Sequence, residues 1–588
     1  MELPVRGPAT SEWKTRYLIE TKSVSYRRPA DGGGELDWAC RWWWGRAGSK
    51  PILRDVSCRY LPGEITAVVG PSGAGKTTLL SILAGMVPLR RVSGEVLVNG
   101  RPMDAALFRR VSGYVPQEDS LLPQLTVEES LLYSAYLRLG GAAAADRARE
   151  LLRQLGLDHV AGCRVGSGIS GGERRRVSIG VELVHRPGAI LLDEPTSGLD
   201  SASAVQIISL LRAMARAESK AVVVTVHQPG FRILELIDQV VILVAGEVRH
   251  RGPLELLERR LKEAGHRIPN QVNALEYAME NDLPQWALLP VEESTSEELE
   301  EEDDPRGQLV NTNGHLREVL VLGGRLAATV RRSNQLFATK IVQSLAAGLG
   351  LGSVFMRADD LQARVGFFAF SLTFLLSSTT EALPVFLRER KIVARETSRG
   401  AYRVSSYALA NAAVYLPLLL AAALLYAAPV YWLVGLRREL DGFLFFALVV
   451  WLAMAAANSL LSCVAALAPS FVVGSSAAAG LLGCFFLFSG YFIAKESIPR
   501  QWIFVHYLSL FKYPFEAFLI NEYGGEGGRR MCLQREGGAC VVDGEMFLGR
   551  EGLEGARRWT RAGVMAGFVA GYRVLAFAVL WLRCRKTV

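Results

Sequence analysis

Cysteine is scarce, with eight residues in 588. That is too few for a disulfide framework, and no CxxC pair offers zinc spacing. The opening residues, MELPVRGPATSEWK, hold no apolar run, so no cleaved signal peptide is expected. Charge is also sparse, at 21% against 50% hydrophobic residues, and the shortage is local. Residues 1–335 read mostly as soluble protein, whereas 336–583 contain several runs long enough to cross a bilayer. This segregation disfavours a wholly soluble protein, a disordered chain and a secreted disulfide scaffold. Lys plus Arg exceeds Asp plus Glu, 66 against 58. Positive charge beside membrane spans explains the excess better than nucleic acid binding does.

Short apolar strands alternate with helices from Ile52 to about Gly252. RYLIETKSVSYR (16–27) is a first strand, and ITAVVG (65–70), AILLD (189–193) and AVVVTVH (221–227) read as buried parallel strands. That alternation predicts an α/β domain with its ligand loops at the carboxyl ends of the strands. The boundaries it suggests are a tail over 1–15 and the α/β domain over 16–288. An insert at 28–50, containing WACRWWWG, is a packed or membrane-facing loop. An acidic linker follows over 289–315, because EESTSEELEEEDD (292–304) cannot bury apolar area. Residues 316–340 mix basic and apolar positions, as in an amphipathic helix at the membrane surface or an early start to the first span.

Six spans are expected in 341–588, at about 341–356, 365–387, 407–434, 443–468, 470–494 and 562–582. The basic block RERKIVARETSRGAYR (388–403) and the tail RCRKTV place both termini in the cytoplasm. The stretch 495–561 is then mostly external, with KYPFEAFLI as a segment that re-enters the membrane. Glu381 lies in an apolar run. A charge there is costly, so it should face the protein interior, as a polar relay or as helix–helix glue to Asn411 or Asn458. Cys532 and Cys540 lie in the external stretch, where an oxidising exterior permits a bridge or two free thiols.

The strongest signal is GPSGAGKTT, comprising Gly70, Pro71, Ser72, Gly73, Ala74, Gly75, Lys76, Thr77 and Thr78. It fits G-x-x-x-x-G-K-[ST] directly after a strand. Its glycines admit phosphate to backbone N–H groups, and the following helix presents its positive end. Lys76 should reach the β- and γ-phosphates of ATP and Thr77 should ligate Mg²⁺. Asp193 ends the AILLD strand as a second Mg²⁺ ligand. Glu194 beside it is placed to polarise the attacking water.

These motifs resemble those of ATP-binding cassette proteins, over almost the whole chain. ISGGE (169–173), with Ser170, Gly171, Gly172 and Glu173, looks like the cassette signature. Gln117 in YVPQED matches the Q-loop, implying catalytic and Mg²⁺ roles. SGLD, ending at Asp200, matches the D-loop, and His227 in TVHQPG matches the switch histidine. The stretch between Leu157 and Ser170 is shorter than the family pattern. Tyr26 is the candidate adenine-stacking aromatic, with a core tyrosine as the alternative. The implied fold is a P-loop α/β cassette followed by an all-α six-helix membrane domain.

Cassette before spans, HQP at the switch and YRVSSY (402–407) resemble half-size G-subfamily (white–brown complex) transporters, and FLFSGYFIAK and HYLSLFKYPFE look most like plant members. One set of motifs implies a dimer, with itself or another half-size subunit. The resemblance implies ATP-driven export of hydrophobic metabolites across the plasma membrane. Candidate cargoes are lipid, wax, cutin or suberin precursors, or phenolic, terpenoid and hormone-type molecules. It implies that 388–403 is a coupling elbow in which Glu389 and Arg390 pair. Phe374 would face a cargo cavity, with Tyr491 and Phe492 near an apolar plug above it; all three suit lipid contact equally. The alternative is an ATP-binding subunit whose heterodimer companion selects the cargo.

Overall fold

In a computed structural model the described residues are 16–29, 49–139, 141, 143–263, 265–266, 273–280, 314–333, 337–356, 360–493, 495–536 and 539–586. The Trp-rich motif, most of the acidic linker and the tail over 1–15 lie outside them.

The first half contains β1 (Ile19–Pro29), β2 (Ser49–Tyr60), β3 (Ile65–Val69), β4 (Val92–Val98), β5 (Arg101–Pro102), β6 (Ser112–Val115), β7 (Ala189–Leu192), β8 (Ala221–Val226), β9 (Gln239–Val244) and β10 (Glu247–Gly252). An antiparallel sheet runs β2-β1-β4-β5, and the main sheet runs β10-β9-β3-β8-β7-β6. Strands β6, β7, β8, β3 and β9 are parallel. Every residue of β3, β7 and β8 is buried. A strand covered on both faces needs a continuous apolar run, and these sequences supply one. Helices α1 (Lys76–Leu83), α3 (Gly171–Leu183) and α4 (Ser201–Glu218) follow motifs, and α2 (Val127–Arg138) lies between the first two.

The second half is helical: α5 (His315–Arg332), α6 (Thr339–Val354), α7 (Leu361–Ser377), α8 (Leu383–Ser398), α9 (Val404–Val434), α10 (Leu440–Leu467), α11 (Phe471–Leu487), α12 (Ile503–Leu508) and α13 (Lys512–Tyr523). A hairpin of β11 (Cys532–Glu536) and β12 (Ala539–Asp543) precedes α14 (Arg558–Lys586). Helix α10 is the buried centre of the domain. Phe368 of α7 and Phe446 of α10 stack on Phe518 of α13, with ring centroids 5.3 and 4.7 Å apart. Each such pair adds about 0.5–1.5 kcal/mol beyond its buried area.

Helices occupy all six places where spans are expected. Among the described residues four helical segments have the length and apolarity to cross a bilayer: Leu361–Ser398, Val404–Val434, Leu440–Leu467 and Arg558–Arg585. Helix α6 has 16 residues and α11 has 17, short of the roughly 20 that span hydrocarbon. The second span also runs on past residue 387 to Ser398, so the basic block continues a helix. Between α7 and α8 the chain tightens into a 3₁₀ turn, Ser378–Ala382. Pro384 causes it, because proline lacks an N–H and its ring crowds the carbonyl four residues back. The segments Arg500–Leu508 and Lys512–Tyr523 bend by 67°, the geometry expected of a re-entrant pair.

Helix α5 fills most of the stretch expected to be an amphipathic connecting helix, and it ends before α6 begins. Its Leu322 and Leu326 bury against Leu137 of α2 and Val393 of α8. It is a brace between the two halves.

Candidate functional site

The loop from β3 into α1 is shaped by glycine at two positions. Gly75 takes φ +103°, and a Cβ on Gly70 would lie 2.0 Å from the Leu243 carbonyl oxygen. No other residue fits both constraints. Helix α1 starts with no side-chain cap, so its first amides are available to an anion. Lys76 folds back over the loop, its Nζ donating to the carbonyls of Gly70 (2.6 Å) and Pro71 (3.1 Å). Burial pulls this ammonium below its ordinary range, while Glu194 and Asp193 pull the other way. Pro71, Ser72, Gly73 and Thr77 are exposed and Ala74 is buried; Thr78 continues α1. Tyr26, half-buried on β1, pairs with Leu53. Leu53 in turn lies under Gly75, so Tyr26 borders the loop.

Asp193 follows β7 and is 2% exposed. Its Oδ1 accepts from Thr77 Oγ1 (3.2 Å) and Thr225 Oγ1 (2.7 Å). The facing hydroxyl and carboxylate form an oxygen donor set that suits a hard cation such as Mg²⁺. Glu194 takes φ +44°, left-handed for a residue with a side chain and therefore strained. Its N–H donates to Thr225 Oγ1 at 2.8 Å, which holds the turn. Gln117 Nε2 donates to Glu194 Oε2 at 2.7 Å, uniting two residues assigned from motifs 77 positions apart. His227 is exposed just beyond β8.

Ser170 caps α3. Its Oγ accepts from the Glu173 N–H (3.2 Å), and Glu173 Oε2 accepts from the Ser170 N–H (2.7 Å). In this capping box the Glu173 carboxylate is engaged with Ser170 and His159. The short stretch before Ser170 does not distort the motif. Val165 N–H bonds the Leu125 carbonyl, and Val160 and Val165 are buried. A Cβ on Gly172 would meet Ser203 Oγ at 2.9 Å, so glycine lets α3 approach α4; Gly171 is exposed beside it. Asp200 caps α4 through Ser203 N–H at 3.0 Å.

Sequence reasoning missed Arg175, Thr225 and Glu182. Buried Arg175 donates to the carbonyls of Pro116 (2.7 Å) and Asp193 (2.8 Å) and to Asp119 Oδ1 (2.9 Å). It ties the Q-loop to the end of β7. Among three consecutive arginines nothing local marks the inward one. Thr225 was detectable as the polar residue in AVVVTVH.

Glu182, 2% exposed on α3, receives the membrane domain. Arg399 and Arg395 at the end of α8 both pair with it, Arg395 at 3.0 Å. They also donate to the Tyr114 carbonyl at 2.8 and 3.1 Å. Burial alone would raise the Glu182 carboxyl, but Arg399, Arg395 and Arg138 together hold it down at about 2. Nearby, Arg325 of α5 grips Glu396 with two bonds of 2.8 Å.

Glu389 and Arg390 do not pair. Tyr407 donates to Glu389 (2.7 Å), and Arg390 donates to the carbonyls of Ala465 and Ala468 (both 2.6 Å). Consecutive helix residues point about 100° apart, so they face different neighbours. Glu381 is exposed and accepts from Gln343 of α6 at 2.9 Å; its hydrogen bond is to neither Asn411 nor Asn458. Phe374 is half-buried against the domain core, and Tyr491 and Phe492 lie with Phe486 and Phe515 in one aromatic cluster. Cys532 and Cys540 are joined across the β11–β12 hairpin.

A phosphate-binding cassette bonded to a helical membrane domain defines one half of an ATP-driven membrane transporter. The ABC transporter family model matches residues 53–197 and the ABC-2 type transporter model residues 317–523. Three Arabidopsis thaliana proteins are similar over nearly full length. ABC transporter G family member 5 is 44% identical over 91% of this chain and 90% of its own. Member 23 is 42% identical over 91% and 89%, and member 8 is 40% identical over 99% of each. The chain belongs to the plant ABC transporter G family, as a half-size member. It is an integral membrane protein that binds ATP and couples its hydrolysis to transport.

Proposed function

We propose that this chain dimerises, with a second copy or another half-size member, and exports hydrophobic small molecules across the plasma membrane. Both termini would be cytoplasmic, and the cargo would be a lipid or a phenolic, terpenoid or hormone-type metabolite. The supporting observation is a bonded path from Glu194 to α8. Glu194 holds Gln117, Arg175 holds the Pro116 carbonyl, and Arg395 and Arg399 hold the Tyr114 carbonyl.

The chemistry follows from that path. Loop amides and Lys76 bind the β- and γ-phosphates, and Glu194 takes the proton of the attacking water. Thr77, Asp193 and Gln117 would hold Mg²⁺, which neutralises phosphate charge when bound. The exposed signature at Ser170 and Gly171 meets ATP on the partner cassette, with Asp200 and His227 at the shared face. A shift of Gln117 pulls on Tyr114 and so on α8, opening the spans outward. A 20-carbon chain costs roughly 16 kcal/mol to expose to water, at about 0.8 kcal/mol per CH₂, so a lipid cargo needs an apolar path. The aromatic cluster at Tyr491 and Phe492 suits that path.

ATP-dependent uptake into inside-out vesicles, from a panel of labelled lipids and phenolics, tests the reading. Uptake should vanish in Glu194→Gln. Uptake that persists in that variant refutes it, as does failure of folded, inserted protein to transport both alone and with other half-size members.

A further inference from the structure

A narrow cavity of about 20 Å³ lies in the joint between cassette and membrane domain, room for one water-sized particle. Its walls include Arg138 of α2, Ser178 and Glu182 of α3, Arg395 and Glu396 of α8, and Arg399 just beyond α8.

Positive charge exceeds negative around it. Glu182 serves three guanidiniums: Arg395 at 3.0 Å, Arg138 at 3.7 Å and Arg399. Glu396 is already held by both bonds from Arg325. His185, behind Arg138, is neutral. Arg138 Nη1 lies 2.8 Å from His185 Nδ1; a guanidinium only donates, so Nδ1 accepts. The ring proton then sits on Nε2, which donates to the Ser112 carbonyl at 3.3 Å. Burial, then Arg138, hold the His185 pKa well below its ordinary value. Among these groups four guanidiniums face two carboxylates, so two positive charges remain. The side chains of Arg138 and Arg399 are 8% and 2% exposed, which keeps water from dispersing the excess.

Two donors at the cavity also want an acceptor. Ser178 is 1% exposed, and neither its Oγ nor the shielded Nε of Arg395 has a hydrogen-bond partner among the described residues. A water could accept from both but would leave the charge unchanged. A monatomic anion accepts from both and cancels one charge. Phosphate and sulfate, with four oxygens about a centre, exceed the space.

We propose that this joint holds one chloride ion, with Ser178 Oγ–H and Arg395 Nε–H as its donors and the guanidiniums of Arg138 and Arg399 beside it. The ion touches α2 and α3 of the cassette and α8 of the membrane domain, so the grip of α8 on the cassette depends on chloride. This needs neither a dimer nor a particular cargo.

The test uses the full-length protein in lipid nanodiscs, moved into sodium gluconate and titrated with sodium chloride at constant ionic strength. Gluconate is too large for the cavity. Hydrogen exchange over 112–120 and 383–399 reads the joint, and the linewidth of the chloride nuclear magnetic resonance reads the ion. Chloride at about ten times its dissociation constant should slow exchange about tenfold, by linkage to the engaged joint. Sulfate should not slow it. Ser178→Ala should raise the apparent dissociation constant about tenfold or more, as loss of a hydrogen bond to a charged group does. Arg395→Lys, which keeps the charge and removes Nε, should weaken binding in the same direction. Equal exchange in chloride and gluconate overturns the proposal, by showing a water in the cavity. An equal response to sulfate overturns it too, by showing general screening, as does a chloride response undiminished in both variants. If a variant fails to fold, the comparison of anions on the wild type still decides.

Discussion

Replacing Glu182 by glutamine should loosen the joint between cassette and membrane domain while leaving each half folded. The side chains of Glu182 and Arg399 are 3% and 2% exposed, and that of Arg395 is 16% exposed. A single carboxylate therefore neutralises guanidiniums that have left water. Glutamine keeps the shape and one acceptor but no charge, so the arginines become buried and uncompensated. Breaking a buried pair in this way costs about 3–5 kcal/mol, which is between two and four powers of ten in the docking equilibrium, roughly. Hydrogen exchange over 112–120 and 383–399 reads that loss directly, and uptake per ATP hydrolysed reads the uncoupling. The paired variant Glu182→Gln with Arg399→Gln should recover part of the loss, because it removes one stranded cation. The sign with pH is also fixed. The folded carboxyl is depressed to about 2, so its contribution is complete above about pH 4.3 and is lost as pH falls toward 2. Exchange rates at the joint should be flat from pH 8 to pH 5. A loss below about 1 kcal/mol, the range of an exposed pair, or a transition near pH 6 would refute the reasoning.

Further outcomes follow from the nucleotide site and the disulfide hairpin. Glu194→Gln should still bind ATP but hydrolyse it at least about a hundredfold more slowly, as expected when a positioned base is lost; steady-state turnover in proteoliposomes checks this. Thr225→Val removes the acceptor for the Glu194 N–H and the donor to Asp193. It should destabilise that turn by about 1–3 kcal/mol, lowering kcat with little change in nucleotide affinity. Cys532→Ser should destabilise the β11–β12 hairpin by about 2–3 kcal/mol, given its short loop. Faster proteolysis at 530–545, with ATPase activity unchanged, is the expected signature.

The nucleotide site was legible because its parts are local. A strand buried on both faces has one signature, and a loop that must admit phosphate leaves few residue choices at Gly70 and Gly75. Gln117 and Glu194 were each assigned from a motif, whereas the bond between them is visible only in the structure. Contacts between the halves were not legible. Arg399 and Glu182 lie 217 positions apart, and nothing in ERRRVSIGVEL distinguishes the buried glutamate from a solvated one. Run length located the membrane helices within a few residues but could not show that the second continues through charged sequence. Hydropathy falls at Arg388, whereas the helix persists because cassette side chains receive its charges. Glu389 and Arg390, paired on the family resemblance, find separate partners because consecutive helix residues face different neighbours.

The 3₁₀ break at Ser378–Ala382 gives α8 the properties of a lever. Below that fulcrum α8 is 16 residues long, about 24 Å at 1.5 Å per residue. Tilting such an arm by about 10° carries its tip through about 4 Å, more than the length of a hydrogen bond. Every contact that Arg395 and Arg399 make with Glu182 and Tyr114 would be broken or re-formed within that arc. Small angular play near the bilayer is thereby converted at the cassette into a choice between discrete arrangements, engaged or disengaged, with little stable ground between them.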